Sequence, residues 1–223
     1  MKPRRPAAAG ILLWWLISLL LAVPAWWTGW VPLDQTSSSW PTLAQSWALH
    51  PDAGLHQAPW VWWSTAWLHG SALHLQRNLM ALALIALLAA AYGSSARTAL
   101  VWALAWPLTH LGMLMQPALH TYIGMSGVLH AGVAILCLQQ IEQNAPPWPK
   151  RLAWIMLIGL GAKILMENPW HNGLVRPAGS DITVAPLAHL SGSAAGITLY
   201  LFSSVTKRLI CVTRLTPVPR TLD

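Results

Sequence analysis

The chain has 223 residues, 55% of them hydrophobic and 9% charged, with thirteen Lys and Arg against six Asp and Glu. About a quarter of the residues in a soluble domain are charged, so this complement cannot coat a water-exposed globule, and neither an ordinary cytosolic enzyme nor a disordered chain fits. The net charge of +7 does not point to nucleic acid, because the basic residues stand at segment ends and form no stripe. Sixteen tryptophans accompany only three tyrosines and one phenylalanine, and indoles collect at membrane–water boundaries. Cys137 and Cys211 make no disulfide framework. The composition is that of an all-α, multi-span membrane protein.

Six apolar stretches are long enough to cross a bilayer. In chain order they cover residues 10–28, 73–92, 98–115, 123–140, 151–168 and 184–205. No ten-residue alternation suggests a barrel, and helices are the open-ended way to satisfy the backbone in lipid. Six spans place the N-terminus, the 2–3 loop, the 4–5 loop and the C-terminus on one side. Those regions hold Lys2, Arg4, Arg5, Arg97, Lys150, Arg151, Lys207, Arg208, Arg214 and Arg220, so both termini are expected in the cytoplasm. The other side receives Asp34, Asp52, Glu167 and Asp181. A cleaved signal peptide competes for the first stretch, since residues 1–5 are basic and Val23-Pro24-Ala25 resembles a cleavage site. The long apolar run and the Trp26-Trp27 pair favour a retained anchor. No internal repeat is visible, and the expected organisation is a tail (1–9), one membrane domain (10–205) and a basic tail (206–223).

Polar residues inside such stretches are costly and mark function. At the start of the second span, His74 and Asn78 are four apart and share a helix face. They can aim two donors at one point or simply hydrogen-bond between helices. The fourth span opens Gly124-Met125-Ser126-Gly127, a serine between glycines where free N–H groups and the positive dipole end suit an oxyanion. The competing reading is a small-residue packing patch. In the sixth span Gly192 and Gly196 follow His189 at +3 and +7, a stripe that lets another helix touch at the level of the histidine. That histidine can serve a serine or bond a carbonyl within the bundle. Asn78, Ser126 and His189 all lie near the outer starts of even-numbered spans, hence at comparable depth. A nucleophile, a base and side-chain donors at one depth fit acyl transfer.

The ordered set His69-x4-His74-x3-Asn78, Gly124-x-Ser126-Gly127 and His189-x2-Gly192-x3-Gly196 resembles the rhomboid family of intramembrane serine proteases. Within it, Gly124-Met-Ser-Gly-Val-Leu-His130 and Lys163-x3-Glu167 are similar to the rhombosortases, compact bacterial members. The resemblance implies a six-helix rhomboid-like bundle in the bacterial inner membrane with the site opening toward the periplasm. It also implies a Ser126–His189 dyad and an oxyanion held by the Ser126 N–H with His74 and Asn78. His69, Gly124, Gly127, His130, Gly192 and Gly196 stand as possible supports of the site. Substrates would be exported, membrane-anchored proteins with a C-terminal glycine-rich motif, an apolar helix and a basic end. Two positions depart from the family pattern: His130 stands where many rhomboids have a tyrosine, and Met166 precedes Glu167 where an aromatic is expected.

No Asp or Glu lies in spans two, four or six to orient the histidine, so a dyad without a carboxylate is the expectation. Lys163 and Glu167 are an i,i+4 pair on span five, read either as a surface ion pair or as substrate positioning near a lateral gate. The tryptophans Trp60, Trp62, Trp63 and Trp67 of the first loop suggest an interfacial element. No cofactor or metal is called for. A catalytically inactive rhomboid-like protein that binds membrane clients is the alternative. A histidine-lined metal transporter is disfavoured because the nine histidines fall mostly at loops and span ends and no intramembrane carboxylate is expected to pair with them.

Overall fold

The computed structural model describes residues 8–33, 36–143, 146–176 and 178–213, without the side chains of 210–213. Residues 1–7 of the expected N-terminal tail, Asp34, and residues 214–223 with Arg214 and Arg220 lie outside the described residues, as does the Cys211 side chain. The described chain is all-helical. Its helices are α1 (Ala8–Thr28), α2 (Thr42–Trp47), α3 (Val61–Ser64), α4 (Ala72–Ala91), α5 (Ala96–Leu111), α6 (Ser126–Glu142), α7 (Pro147–Glu167) and α8 (Pro186–Thr213). Short 3-10 turns fill the first loop, and another, Gly112–Met115, extends α5. Two isolated antiparallel bridges, Leu49–Tyr122 and Val175–Val184, are the extended pairings among the described residues.

The six long helices coincide with the six apolar stretches, with local differences at the ends. Three segments, Ala8–Thr28, Ala72–Ala91 and Ala96–Met115, are long and apolar enough to cross a membrane by length and composition. Of the other three, α6 is 17 residues long, α7 carries Lys150, Arg151, Lys163 and Glu167, and α8 is diluted by small and polar residues. Large apolar side chains face outward, among them Leu20 and Val23 on α1, Met80 and Leu84 on α4, Leu104 on α5, Ile155 and Ile158 on α7 and Phe202 on α8. Soluble monomers do not expose apolar surface on every side, and a lipid environment explains it.

Helix α6 is the axis of the bundle. Eleven of its seventeen residues are buried, and α4, α5, α7 and α8 all pack on it. Trp102 of α5 is fully buried, stacks on Trp14 of α1 at 4.5 Å, and donates its indole N–H to the Val128 carbonyl of α6 at 2.9 Å. An indole with both a stacked face and a partnered N–H is fully satisfied in an apolar interior.

The helix ends follow local chemistry. Ser71 caps α4, its hydroxyl accepting from the His74 N–H at 3.1 Å, and Ser95 caps α5 in the same way. Pro24 inside α1 has no N–H for the Leu20 carbonyl. Trp67 of the first loop donates its indole N–H to that carbonyl at 3.0 Å, so the orphan acceptor becomes the dock for the loop. Span four was expected from residue 123, but the helix begins at Ser126 because Gly124 has φ +138, which no helix accommodates. Span six was expected to end at 205, whereas α8 continues to Thr213, so part of the expected C-terminal tail is helical.

Polar side chains gather at both ends of α6. At its C-terminal end Glu142 accepts from Tyr200 Oη, Ser204 Oγ and Arg208. Arg97 donates to Ser203 and Ser204 at 2.7 and 3.0 Å and lies 4.8 Å over the Tyr200 ring. The rise of an α-helix puts this layer about 24 Å from Ser126. The first loop crosses the Ser126 end. There His120 donates to Asp52 at 2.8 Å, and that bond holds the exposed Asp52 carboxyl below its ordinary value.

Candidate active site

The serine is presented by a braced turn. Leu49 and Tyr122 exchange both backbone hydrogen bonds, at 3.1 and 2.8 Å. Thr65 donates its hydroxyl to the Tyr122 carbonyl at 2.7 Å and accepts the Gly124 N–H on its own carbonyl at 3.0 Å. The Tyr122 hydroxyl then donates to the Gly124 carbonyl at 3.1 Å. His110, fully buried, packs on the Tyr122 ring at 5.8 Å and bonds the Trp62 carbonyl through Nδ1 at 2.6 Å. These contacts hold the segment immediately before Ser126 in a conformation only glycine tolerates. Ser126 is thus the first residue of α6, where the N–H groups of the first turn have no intrahelical acceptor.

Small residues bring the histidine to it. A methyl group at Gly192 of α8 would lie 1.9 Å from the Gly127 carbonyl oxygen of α6, and one at Gly127 would lie 2.5 Å from the Ala188 carbonyl oxygen. One at Gly196 would meet the Ala131 oxygen at 2.8 Å. The two helix backbones are therefore in direct contact, as the small-residue stripe was expected to allow. At that crossing His189 Nε2 is 2.8 Å from Ser126 Oγ, with His189 2% exposed.

His74 and Asn78 are buried on the inner face of α4, and the His74 Nδ1, His74 Nε2 and Asn78 Nδ2 atoms have no hydrogen-bond partner among the described residues. The His74 ring lies against Gly124, its Cε1 3.7 Å from where a Cβ would stand. Buried polar atoms are almost always paired, so the unpartnered nitrogens of His74, beside the serine turn, and of Asn78, one helical turn further along α4, mark a candidate polar site. His69 is fully buried, packs edge-on to His74 at 5.2 Å, and pins the first loop by accepting the Val31 N–H on its carbonyl at 2.8 Å. Its ring meets His74, and among the described residues no hydrogen bond joins it to Ser126.

His130 lies flat under His189, with ring centroids 4.0 Å apart and planes 11° from parallel. Its Nδ1 is 2.7 Å from the Ser126 carbonyl oxygen. Nothing in the linear pattern joined Lys163 and Glu167 to these histidines. Glu167 Oε2 lies 2.6 Å from His189 Nδ1, while Lys163 Nζ lies 2.6 Å from Glu167 Oε1 and 3.3 Å from His130 Nε2. The expected absence of a carboxylate at His189 does not hold: spans two, four and six carry none, but this one comes from the end of α7. The only signal for it was the i,i+4 spacing with Lys163, which is silent about what the shared face looks at. Thr65, His110 and Tyr122 were likewise unmarked, since they act through backbone carbonyls, which no side-chain pattern distinguishes.

Among the described residues no group of three His, Cys, Asp or Glu is arranged to hold a metal ion. A hydroxyl on a buried imidazole, next to unpaired donors and a helix N-terminus, is the arrangement of nucleophilic acyl transfer. The Rhomboid domain family model matches residues 56–205, a span that contains the serine, both oxyanion candidates and the histidine. The chain belongs to the rhomboid family, whose members are in general intramembrane serine proteases. No curated protein matches the chain.

Proposed function

We propose that the protein is an intramembrane serine endopeptidase of the rhombosortase type, acting on membrane-anchored exported proteins that carry a glycine-rich motif, an apolar helix and a basic tail. The observation that carries this reading is the 2.8 Å contact between Ser126 Oγ and His189 Nε2 at a glycine-mediated helix crossing. Six long helices with apolar outer faces and a basic excess at one end support six spans with both termini cytoplasmic. In that orientation the Ser126 end of α6 opens toward the periplasm of a bacterial inner membrane.

Ser126 Oγ attacks the scissile carbonyl carbon while His189 Nε2 takes its proton. The oxyanion is held by the Ser126 N–H, His74 and Asn78. As the C–N bond breaks, His189 returns the proton to the leaving amine. Water, deprotonated by the same imidazole, then hydrolyses the Ser126 ester and regenerates the hydroxyl. Removing one oxyanion donor in such sites typically costs about 10²–10³ in turnover.

The test is co-expression of the protein with an anchored reporter bearing the glycine-rich motif, apolar helix and basic tail, for wild type, Ser126→Ala and His189→Ala. Release by wild type alone is the expected result. Release only from a generic helix-destabilised substrate keeps the protease and removes the subfamily. If Ser126→Ala releases every substrate as wild type does, the catalytic reading fails and the client-binding alternative replaces it.

A further inference from the structure

The dyad described above does not account for Glu167 and Lys163. On the reading that Ser126 is the nucleophile, we infer that Glu167 is a positioning residue that sets the tautomer and orientation of His189, and that Lys163 holds the carboxylate in place. The working unit is then Ser126–His189–Glu167, assembled from three helices.

The hydrogen positions follow from counting donors. For Ser126 to give its proton to His189, Nε2 must carry a free lone pair, so the ring hydrogen is on Nδ1. That hydrogen has one acceptor within reach, Glu167 Oε2 at 2.6 Å. The Lys163 ammonium, 3.1 Å from the same Nδ1, is donor-only and cannot bond a protonated nitrogen. It gives its hydrogens instead to Glu167 Oε1 at 2.6 Å and to His130 Nε2 at 3.3 Å. His130 must therefore accept at Nε2 and donate from Nδ1 to the Ser126 carbonyl, which the 2.7 Å contact satisfies. Every polar atom of the four side chains has one consistent role. The opposite tautomer of His189 would set a lone pair against the Glu167 carboxylate at hydrogen-bond distance.

Two blander accounts of Lys163 and Glu167 are weaker. A solvent-exposed i,i+4 pair contributes little on its own and has no reason to turn its carboxylate onto a histidine that is 2% exposed. Glu167 divides its two oxygens between lysine and histidine, and its side chain is only 18% exposed. A substrate-positioning pair would be spent on the substrate, whereas this carboxylate is already committed within the protein. Helix α7 has just two buried residues, Ala153 and Ile164, so the polar cluster is a principal tie between its outer end and α8.

When His189 takes the serine proton, its second charge-bearing site faces Ser126, and the Glu167 carboxylate offsets the imidazolium from behind. Lys163 works in two directions. It fixes Glu167, yet its own charge lies close to the imidazolium, so its removal should cost less than removal of the carboxylate.

The test uses the full chain in proteoliposomes and a small fluorophosphonate probe. Ser126 Oγ forms a bond to phosphorus, fluoride leaves, and the serine proton passes to His189. The probe has no transmembrane tail, so a residue that only positions substrate does not affect it. The expected result is that Glu167→Gln lowers the labelling rate constant by about 10²–10⁴-fold with an unchanged unfolding temperature, and Glu167→Asp recovers at least tenfold of the loss. Lys163→Met should fall by about tenfold or less. With the anchored reporter, Glu167→Gln should lower kcat and leave KM unchanged. Labelling of Glu167→Gln at the wild-type rate, with KM for the reporter raised, would overturn the inference in favour of substrate contact. Equal losses in the Gln and Asp variants together with a lowered unfolding temperature would reduce Glu167 to a structural residue. If wild type is labelled no faster than Ser126→Ala, the nucleophile itself is wrong and the inference falls with it, a result distinct from both.

Discussion

Gly192→Ala isolates the contribution of the α6–α8 crossing to the site. The added methyl would lie 1.9 Å from the Gly127 carbonyl oxygen and 2.6 Å from its carbonyl carbon. Both are backbone atoms and cannot rotate away. Restoring an ordinary contact of roughly 3.5 Å requires about 1.5 Å of separation between the helices. The same movement carries His189, three residues earlier, away from Ser126, and stretches their 2.8 Å contact to about 4 Å, beyond hydrogen-bond reach. Misplacement by about 1 Å can cost 10²-fold in rate, and overpacking costs about 1–3 kcal/mol in stability. The assay pairs fluorophosphonate labelling with thermal unfolding of the purified protein. Gly159→Ala and Gly161→Ala on α7 are the controls, because no described residue outside the helix's own backbone and the adjoining residues lies within 4 Å of a methyl at either position; both should label at the wild-type rate. A Gly192→Ala protein that labels within threefold of wild type would refute the claim that backbone contact sets the serine–histidine distance.

Asn78→Ala should lower kcat for the anchored reporter by about 10²–10³-fold with KM little changed, if its unpaired Nδ2 serves the oxyanion; steady-state kinetics in proteoliposomes reads this directly. Tyr122→Phe removes the buried hydroxyl that donates to the Gly124 carbonyl, and should cost about 1–3 kcal/mol in stability from the acceptor left behind, along with slower labelling. Arg97→Met tests the opposite end of the bundle: it removes bonds to Ser203 and Ser204, so denaturation should come earlier while labelling of Ser126 stays at the wild-type rate.

The membrane class and the six long helices were legible in the sequence because each depends on a local property, namely a run of apolar residues long enough for a bilayer or a residue that starts or stops a helix. Ser126, His189, His74 and Asn78 were legible for a related reason. Each is a polar group where the surrounding pattern demands an apolar or small one, and that anomaly is visible without knowing any neighbour. The glycines at +3 and +7 from His189 even announced a close helix contact, though not which helix would meet it.

What the tertiary structure decided is how helices are rotated against one another. Lys163 and Glu167 share a face of α7 by spacing alone, but whether that face looks at lipid, solvent or His189 depends on how α7 sits on α6 and α8. A quarter turn of α7 would leave the same sequence with an unremarkable surface ion pair. The stacking of His130 under His189 likewise needs the α6–α8 crossing to be set to within about an ångström, a distance imposed by Gly127 and Gly192 together across 65 residues of chain. The bracing of the serine turn by Thr65, Tyr122 and His110 runs through backbone carbonyls, which every residue possesses and no sequence pattern distinguishes. Periodicity along one chain encodes what a helix can present, and only packing between helices selects what that face meets.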